Sequence, residues 1–149
     1  MNYKEVVQDL FFTTEDYYLV HCISADFAMG KGIVVEFNKR FDMKKKIKVE
    51  FPDYLNSWKE NEKKYDCILI EQVFNLITKQ RFFNKPTYKT MRGSLELMKN
   101  ICVEKQIQKI AMPIIGCGLD GLKWEKVSEI IKDVFNDIDI EILVCIPEV

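Results

Sequence analysis

The chain has 149 residues, enough for one domain with a sizeable core and no need of covalent or metal staples. Its 22 basic and 23 acidic side chains leave a net charge of -1, so the whole-chain balance gives no sign of a general nucleic-acid or membrane-surface binder. MNYKEVVQDL lacks a signal-peptide layout, no apolar run is long enough to span a bilayer, and the five cysteines form no CxxC pair. The expectation is therefore a reduced, cytoplasmic protein with no membrane partner, no disulfide framework and no metal site.

Tyr17 to Ile23 (YYLVHCI) predicts a buried strand. Gly32 to Phe41 follows as a helix, with Ile33, Val34, Phe37 and Phe41 on one face. Lys39, Arg40, Lys44, Lys45, Lys46 and Lys48 then crowd one stretch; this is a solvated face or, alternatively, a landing strip for a polyanion. Cys67 to Ile70 and Val73 to Ile77 are short strand runs separated by Glu71 and Gln72, a spacing that suits an antiparallel pair. Thr87 can cap a helix whose stripe is Tyr88, Met91, Leu95, Met98 and Cys102. Lys109 to Ile115 reads as a strand, Trp124 to Phe135 as an amphipathic helix, and Ile140 to Ile146 as a last strand covered on both faces.

Strands alternating with helices predict an α/β fold, a three-layer α/β/α sandwich with a mixed central sheet, as a single domain over residues 1–149. The ligand site of such a fold lies at the carboxyl ends of its strands. Function is therefore to be sought in the segments 24–32, 78–85 and 116–123.

The last of these contains G-x-G-x-x-G at Gly116, Gly118 and Gly121, between a strand and a helix. Such a loop lets backbone N–H groups approach an anion near a helix N-terminus. It is not a Rossmann fingerprint, which belongs to the first strand of a longer unit with an acidic residue ending the next strand. Here the loop is near the C-terminus, and the nearest acidic candidate, Asp139, begins the following strand. A lone loop of this kind could equally be a tight turn. A second strand-to-helix loop, Ser24 to Ile33 with Gly30 and Gly32, makes a diphosphate cradle the better reading.

Gln8-Asp9-Leu10-Phe11, His21-Cys22-Ile23-Ser24, Met29-Gly30-Lys31-Gly32-Ile33, Leu76-Ile77-Thr78-Lys79, Lys85-Pro86-Thr87-Tyr88, Met112-Pro113-Ile114-Ile115-Gly116-Cys117-Gly118-Leu119-Asp120 and Trp124-Glu125 occur in this order. Together they resemble the macrodomain family, and within it the terminal ADP-ribose glutamate-hydrolase branch. That branch also includes antitoxin macrodomains that strip ADP-ribose from DNA bases; they carry a second domain, for which this length leaves no room. The resemblance implies that Asp9 accepts a hydrogen bond from the adenine amino group, with Leu10 and Phe11 lining the base. It implies that Ser24 and the loop of Met29, Gly30, Gly32 and Ile33 border the diphosphate and distal ribose, with Thr78 and Pro113 beside them. Ile115, Gly116, Cys117, Gly118 and Leu119 then wrap the diphosphate, while Lys79 and Asp120 face the anomeric carbon of the distal ribose. Where the family commonly has Gly before the Asp of the first motif, this chain has Gln8.

Taken alone, Lys79 would be a solvated surface charge and Asp120 a residue favoured by a helix dipole. Paired, they become a nucleophile and its proton partner: a neutral amine can attack a carbonyl carbon, which ring-opened ribose offers. Apolar walls, and no nearby salt-bridge partner, are expected to help the amine shed its proton. His21, the only histidine, reads as a core or strand-end residue. A cysteine-phosphatase reading of Cys22 fails, because the Arg required six positions on is Ala28. Cys117 is read as a packing residue, Asp26 and Lys31 as loop solvation, Trp124 as core, and Phe82 and Phe83 as edging the ligand pocket.

The sequence thus predicts an ADP-ribosyl hydrolase acting on acidic side chains, O-acetyl-ADP-ribose or nucleobases, with ADP-ribose as ligand and product and no metal or redox cofactor. Its partners are ADP-ribosylated protein or DNA, and a monomer is expected. One alternative is a non-catalytic ADP-ribose reader, which would not require the Lys79 and Asp120 pair. Another is a nucleic-acid-targeted protein using the 39–48 basic stretch.

Overall fold

The computed structural model describes residues 1–148. Six strands form one mixed sheet in the order β1 (Asn2–Val7), β6 (Glu141–Ile146), β5 (Lys109–Met112), β2 (Tyr18–Ser24), β4 (Val73–Lys79), β3 (Asp66–Ile70). Every pairing is parallel except that of β3 with β4. The predicted antiparallel pair is therefore a hairpin, closed between Ile70 and Val73 with Glu71 in the left-handed region at φ 52°.

Period-two alternation sends each strand's side chains to two different cores. On one face Phe74 and Leu76 of β4 meet Met91, Leu95, Met98 and Cys102 of α4 (Tyr88–Lys105) and Val127, Ile131 and Val134 of α5 (Trp124–Val134). On the other, Val73 and Ile77 meet Phe37 of α1 (Ile33–Phe41), Met43 and Ile47 of α2 (Met43–Glu50), and Tyr54 and Trp58 of α3 (Tyr54–Glu60). The result is the expected three-layer arrangement. The helix stripes at 88–102 and 124–135 are the buried faces of α4 and α5. Thr87 caps α4 in a reciprocal box with Thr90, which satisfies two of the free amides of its first turn.

Several elements differ from the sequence reading. β1 was not foreseen, because it is an edge strand with mostly exposed side chains and no apolar run. α2 and α3 escaped because each contributes only one pair of buried residues, spaced four apart, amid charged neighbours. The strand expected over 109–115 ends at Met112, since Pro113 has no amide to continue the ladder. Thr78 and Lys79, expected in a loop, extend β4, because Ser24 still pairs with Lys79 across a bulge. In the basic stretch Arg40 bonds Glu36 at 3.2 Å and Lys46 bonds Glu71 at 2.7 Å, as on a solvated helix face. Among the described residues no helix is long and apolar enough to cross a membrane.

His21 occupies the middle of β2, fully buried and stacked on Phe37 with ring centroids 3.9 Å apart. Asn75 Nδ2 donates to the Ile68 and Val73 carbonyls, so Asn75 Oδ1 is an acceptor and His21 Nε2–H must donate to it, at 2.6 Å. His21 Nδ1 has no partner among the described residues. Burial pushes the imidazole down from 6.5 to about 4, against the opposing pull of the Asn75 hydrogen bond. The unfolded chain therefore takes up a proton that the folded chain refuses, and the stability present above pH 6.5 is lost as pH falls from there toward 4. Urea unfolding at about pH 7 and about pH 5 should show a loss of roughly 2 kcal/mol from this residue. His21→Gln, which keeps a donor for Asn75, should flatten the dependence by that amount; an unchanged slope would contradict the assignment.

Candidate active site

The parallel strands β2, β4, β5 and β6 end at one edge of the sheet, and their carboxyl ends open into a single cleft of about 1600 Å³. That exceeds the ~300–1,000 Å³ of most small-molecule pockets and leaves room for an elongated ligand. Asp9, Leu10, Phe11, Ser24, Met29, Gly30, Gly32, Ile33, Lys79, Pro113, Ile115, Gly116, Cys117, Gly118, Leu119 and Asp120 all line it. Thr78 does not: it is 1% exposed, and its hydroxyl has no partner among the described residues. The alternation of β4 that aims Lys79 at the cleft turns Thr78 to the opposite face of the sheet.

At the centre, Lys79 Nζ donates to Asp120 Oδ1 at 2.6 Å, with side-chain exposures of 13% and 18%. Lys79 thus meets the aspartate that the sequence reading paired with it, as a salt bridge, so the expectation that lack of such a partner helps the amine shed its proton does not hold. The loop that carries Asp120 folds back over the end of β4, a contact between residues 41 apart that the sequence could not display. The amine's proton has an immediate acceptor in the same ion pair.

The glycine loop is tied down by Ile115 N to Pro113 O at 2.8 Å, Leu122 N to Gly116 O at 2.9 Å and Gly121 N to Gly118 O at 3.1 Å. Among the described residues, the amides from Gly116 to Asp120 donate to no protein acceptor. A run of unpaired N–H groups lining a cleft is an anion-binding arrangement. The opposite wall is the start of α1, where Gly32 stands at the N-cap with φ 79° and no side-chain cap. Phe27 and Met29 in that loop adopt φ of 56° and 45°, a conformation costing about 1–3 kcal/mol each that persists only where the surroundings impose it.

Asp26 imposes much of it and is more than loop solvation. Its Oδ1 accepts from Ser24 Oγ at 2.5 Å and the Ala28 amide at 3.2 Å, and its Oδ2 accepts from the Phe82 amide at 3.0 Å. It thereby joins the loop after β2 to the loop after β4. Lys85 Nζ donates to the Leu119 carbonyl and straps the same loop to the glycine loop. The sequence assigned neither residue a structural role, because both contacts span distant segments.

At the far end Asp9 Oδ1 accepts from the Phe11 amide at 2.9 Å and caps a 3-10 turn over Leu10–Phe12. Phe11 packs edge-on to Phe37 and lies under the Arg40 guanidinium at 4.5 Å. Gln8, the departure from the family's usual Gly, donates to Cys145 Sγ at 3.7 Å. Cys145, Pro147 and Glu148, from the end of β6, complete this wall; only the position of β6 beside β1 could have pointed to them. Neither cleft cysteine of the central region is an activated thiol. Burial pushes Cys22 strongly upward, and burial followed by the Asp120 charge pushes Cys117 up to about 11.

A macrodomain family model matches residues 20–131. The chain belongs to the macrodomain family. It is 42% identical over 140 residues to the ADP-ribose glycohydrolase OARD1 of Bos taurus, covering 91% of this chain and 86% of that protein. It is 25% identical over 130 residues to the DNA ADP-ribosyl glycohydrolase of Mycobacterium tuberculosis, covering 80% of this chain and 35% of that protein. The solved macrodomain of Mycobacterium tuberculosis DarG superposes with a TM-score of 0.76 at 23% identity, covering 99% of this chain and 98% of that one.

The glycines of this macrodomain divide by what a Cβ would meet. At Gly116, with φ 72°, it would lie 2.6 Å from Met91 Cε and 3.1 Å from Leu122 Cδ1; at Gly118 it would meet no protein atom within 4 Å, and φ there is not positive. Gly116→Ala should therefore cost about 1–2 kcal/mol, mainly from left-handed strain, since the Met91 methyl ends a flexible side chain that can move aside. Gly118→Ala should leave thermal stability nearly unchanged. Comparing the two melting temperatures checks this, and equal losses would contradict it.

Proposed function

We propose that the chain is an ADP-ribosyl hydrolase that removes ADP-ribose from acidic side chains, O-acetyl-ADP-ribose or nucleobases. The observation that carries this reading is the Lys79–Asp120 contact of 2.6 Å, set inside a cleft beside a run of unpaired amides. A reader module needs the amides but not the ion pair. The names of the relatives agree with turnover.

The chemistry follows from the pair. Lys79 passes its proton to Asp120 and attacks C1 of the distal ribose as a neutral amine. A bond forms from Nζ to C1, the bond from C1 to the acceptor breaks, and the acceptor leaves with the proton held by Asp120. Water then adds to C1 of the lysyl-sugar and the C1–Nζ bond breaks. ADP-ribose is released and Lys79 recovers its proton. Asp120 serves both proton steps from one position, and the amides from Gly116 to Asp120 hold the diphosphate so that C1 meets the amine.

Lys79→Ala should abolish release of ADP-ribose while retaining its binding, because the amine acts on the anomeric carbon. Asp120→Ala should also stop turnover. Attack by Lys79 is slowed without its proton acceptor, but the release step loses the base that takes the proton of the attacking water. ADP-ribose should therefore accumulate covalently on Lys79, an adduct that intact-mass spectrometry would detect. Full activity of Lys79→Ala would eliminate the lysine route.

Two binding variants check the orientation of the ligand. Gly118→Val should abolish calorimetric binding of ADP-ribose in a folded protein, since the side chain would fill space the fold leaves open. Asp9→Asn retains a capping oxygen for the Phe11 amide but turns the remaining acceptor into a donor. If Asp9 reads the adenine amino group, affinity should fall by about 1.5–3 kcal/mol; unchanged affinity would remove adenine from this end.

A further inference from the structure

Phe82 and Phe83 follow Lys79 by only a few residues and are 63% and 66% exposed. Their rings meet edge to face with centroids 5.3 Å apart. Both line the cleft. The segment that carries them is held in place: the Phe82 amide donates to Asp26 Oδ2 at 3.0 Å, the Arg81 amide to Asn84 Oδ1 at 2.9 Å, and the Asn84 amide to the Arg81 carbonyl at 3.0 Å. Connecting loops are ordinarily polar. Here two adjacent phenyl rings stand exposed on a tied-down loop and line the cleft that also holds Lys79 and Asp120.

The charges around them are unbalanced. Asp120 is paired with Lys79, whereas Asp26 accepts only from neutral hydroxyl and amide donors and keeps one carboxylate charge beside the Phe82 amide. Lys85 reaches only a neutral carbonyl, that of Leu119, and Arg81 adds a second cation to the same loop. Two cations thus stand against one free carboxylate, and exposed aromatic faces with such a cationic excess are what binds an unpaired nucleotide, whose base stacks while its phosphates are attracted. A glutamate side chain or an acetyl group has no aromatic ring to stack.

We propose that Phe82 and Phe83 form an acceptor platform that stacks the base of an ADP-ribosylated nucleotide in single-stranded nucleic acid, with Arg81 and Lys85 beside its phosphodiesters. The cleft then has an aromatic wall at each end, Phe11 with Phe12 near Asp9 and Phe82 with Phe83 near Lys79. The platform sets acceptor preference and takes no part in bond breaking, so these residues act through binding.

The proposal rests on the hydrolase reading for turnover, and a binding measurement separates the two. The substrates are a short single-stranded oligonucleotide carrying one ADP-ribosylated base and a peptide carrying one ADP-ribosylated glutamate. In the double variant Phe82→Ala/Phe83→Ala, the ratio of kcat/KM for the oligonucleotide to that for the peptide should fall by about 10–100-fold, through KM. Phe82→Tyr/Phe83→Tyr, which keeps the π-faces, should retain the ratio. In the Lys79→Ala background, the affinity for the modified oligonucleotide relative to free ADP-ribose should drop by a similar factor when both phenyl rings are removed, measured by calorimetry at one fixed salt concentration. If Lys79-containing protein releases ADP-ribose from neither substrate, the hydrolase reading fails, and the binding ratio still decides the platform. An unchanged ratio in both measurements overturns the platform. A ratio that rises, because the peptide is the substrate lost, assigns the pair to a protein acceptor instead.

Discussion

The parallel pairing of β2 with β4 is the constraint on which the site depends. Its register sets Ile23 opposite Ile77 and Ser24 opposite Lys79, so both chains leave the sheet at the same level. Inside the sheet the same register sets His21 opposite Asn75, whose side chains bond across the two strands. A slip of one residue would turn Lys79 away from the cleft and Thr78 into it, because side chains alternate with a strict period of two. The buried His21–Asn75 bond opposes such a slip, since any other register leaves two buried polar groups unpaired.

Outward from that pairing, the site is held by a few side chains that link loops rather than elements. Asp26 joins the exits of β2 and β4, Lys85 joins the exit of β4 to the glycine loop, and Lys79 with Asp120 closes the circuit. Each of these contacts orders a segment that carries free amides or exposed apolar surface, features a fold does not keep without support. The glycines show the same division. Gly116 is favoured by its left-handed backbone angle, whereas at Gly118 no described residue stands in the way of a side chain. A residue without a side chain where the fold would accept one marks space reserved for something else, here the diphosphate of the proposed ligand.

Much of this was legible in the chain. The helix stripes of α4 and α5, the short β3–β4 hairpin and the Thr87 cap are local patterns, and each is a direct consequence of residue spacing. The candidate site was legible chiefly through motif order: the macrodomain resemblance grouped Asp9, Lys79, Asp120 and the glycine loop, which the fold brings to one cleft. Edge strand β1 and helices α2 and α3 were not legible, since an exposed strand and a helix with two buried positions have almost no periodic signal.

What the sequence by itself determined is the set of elements with strong periodicity, the loops able to bare their amides, and the residue types available for chemistry. Tertiary structure alone decided which of those residues meet. Lys79 and Asp120 are separated by 41 positions, Asp26 and Phe82 by 56. Nothing in local propensity encodes such a distance, because it is set by the order and register in which strands stack. The same register withdrew Thr78 from the cleft, gave Lys79 a carboxylate partner, and left Phe82 and Phe83 lining the cleft, where their exposure became a question of ligand and not of core.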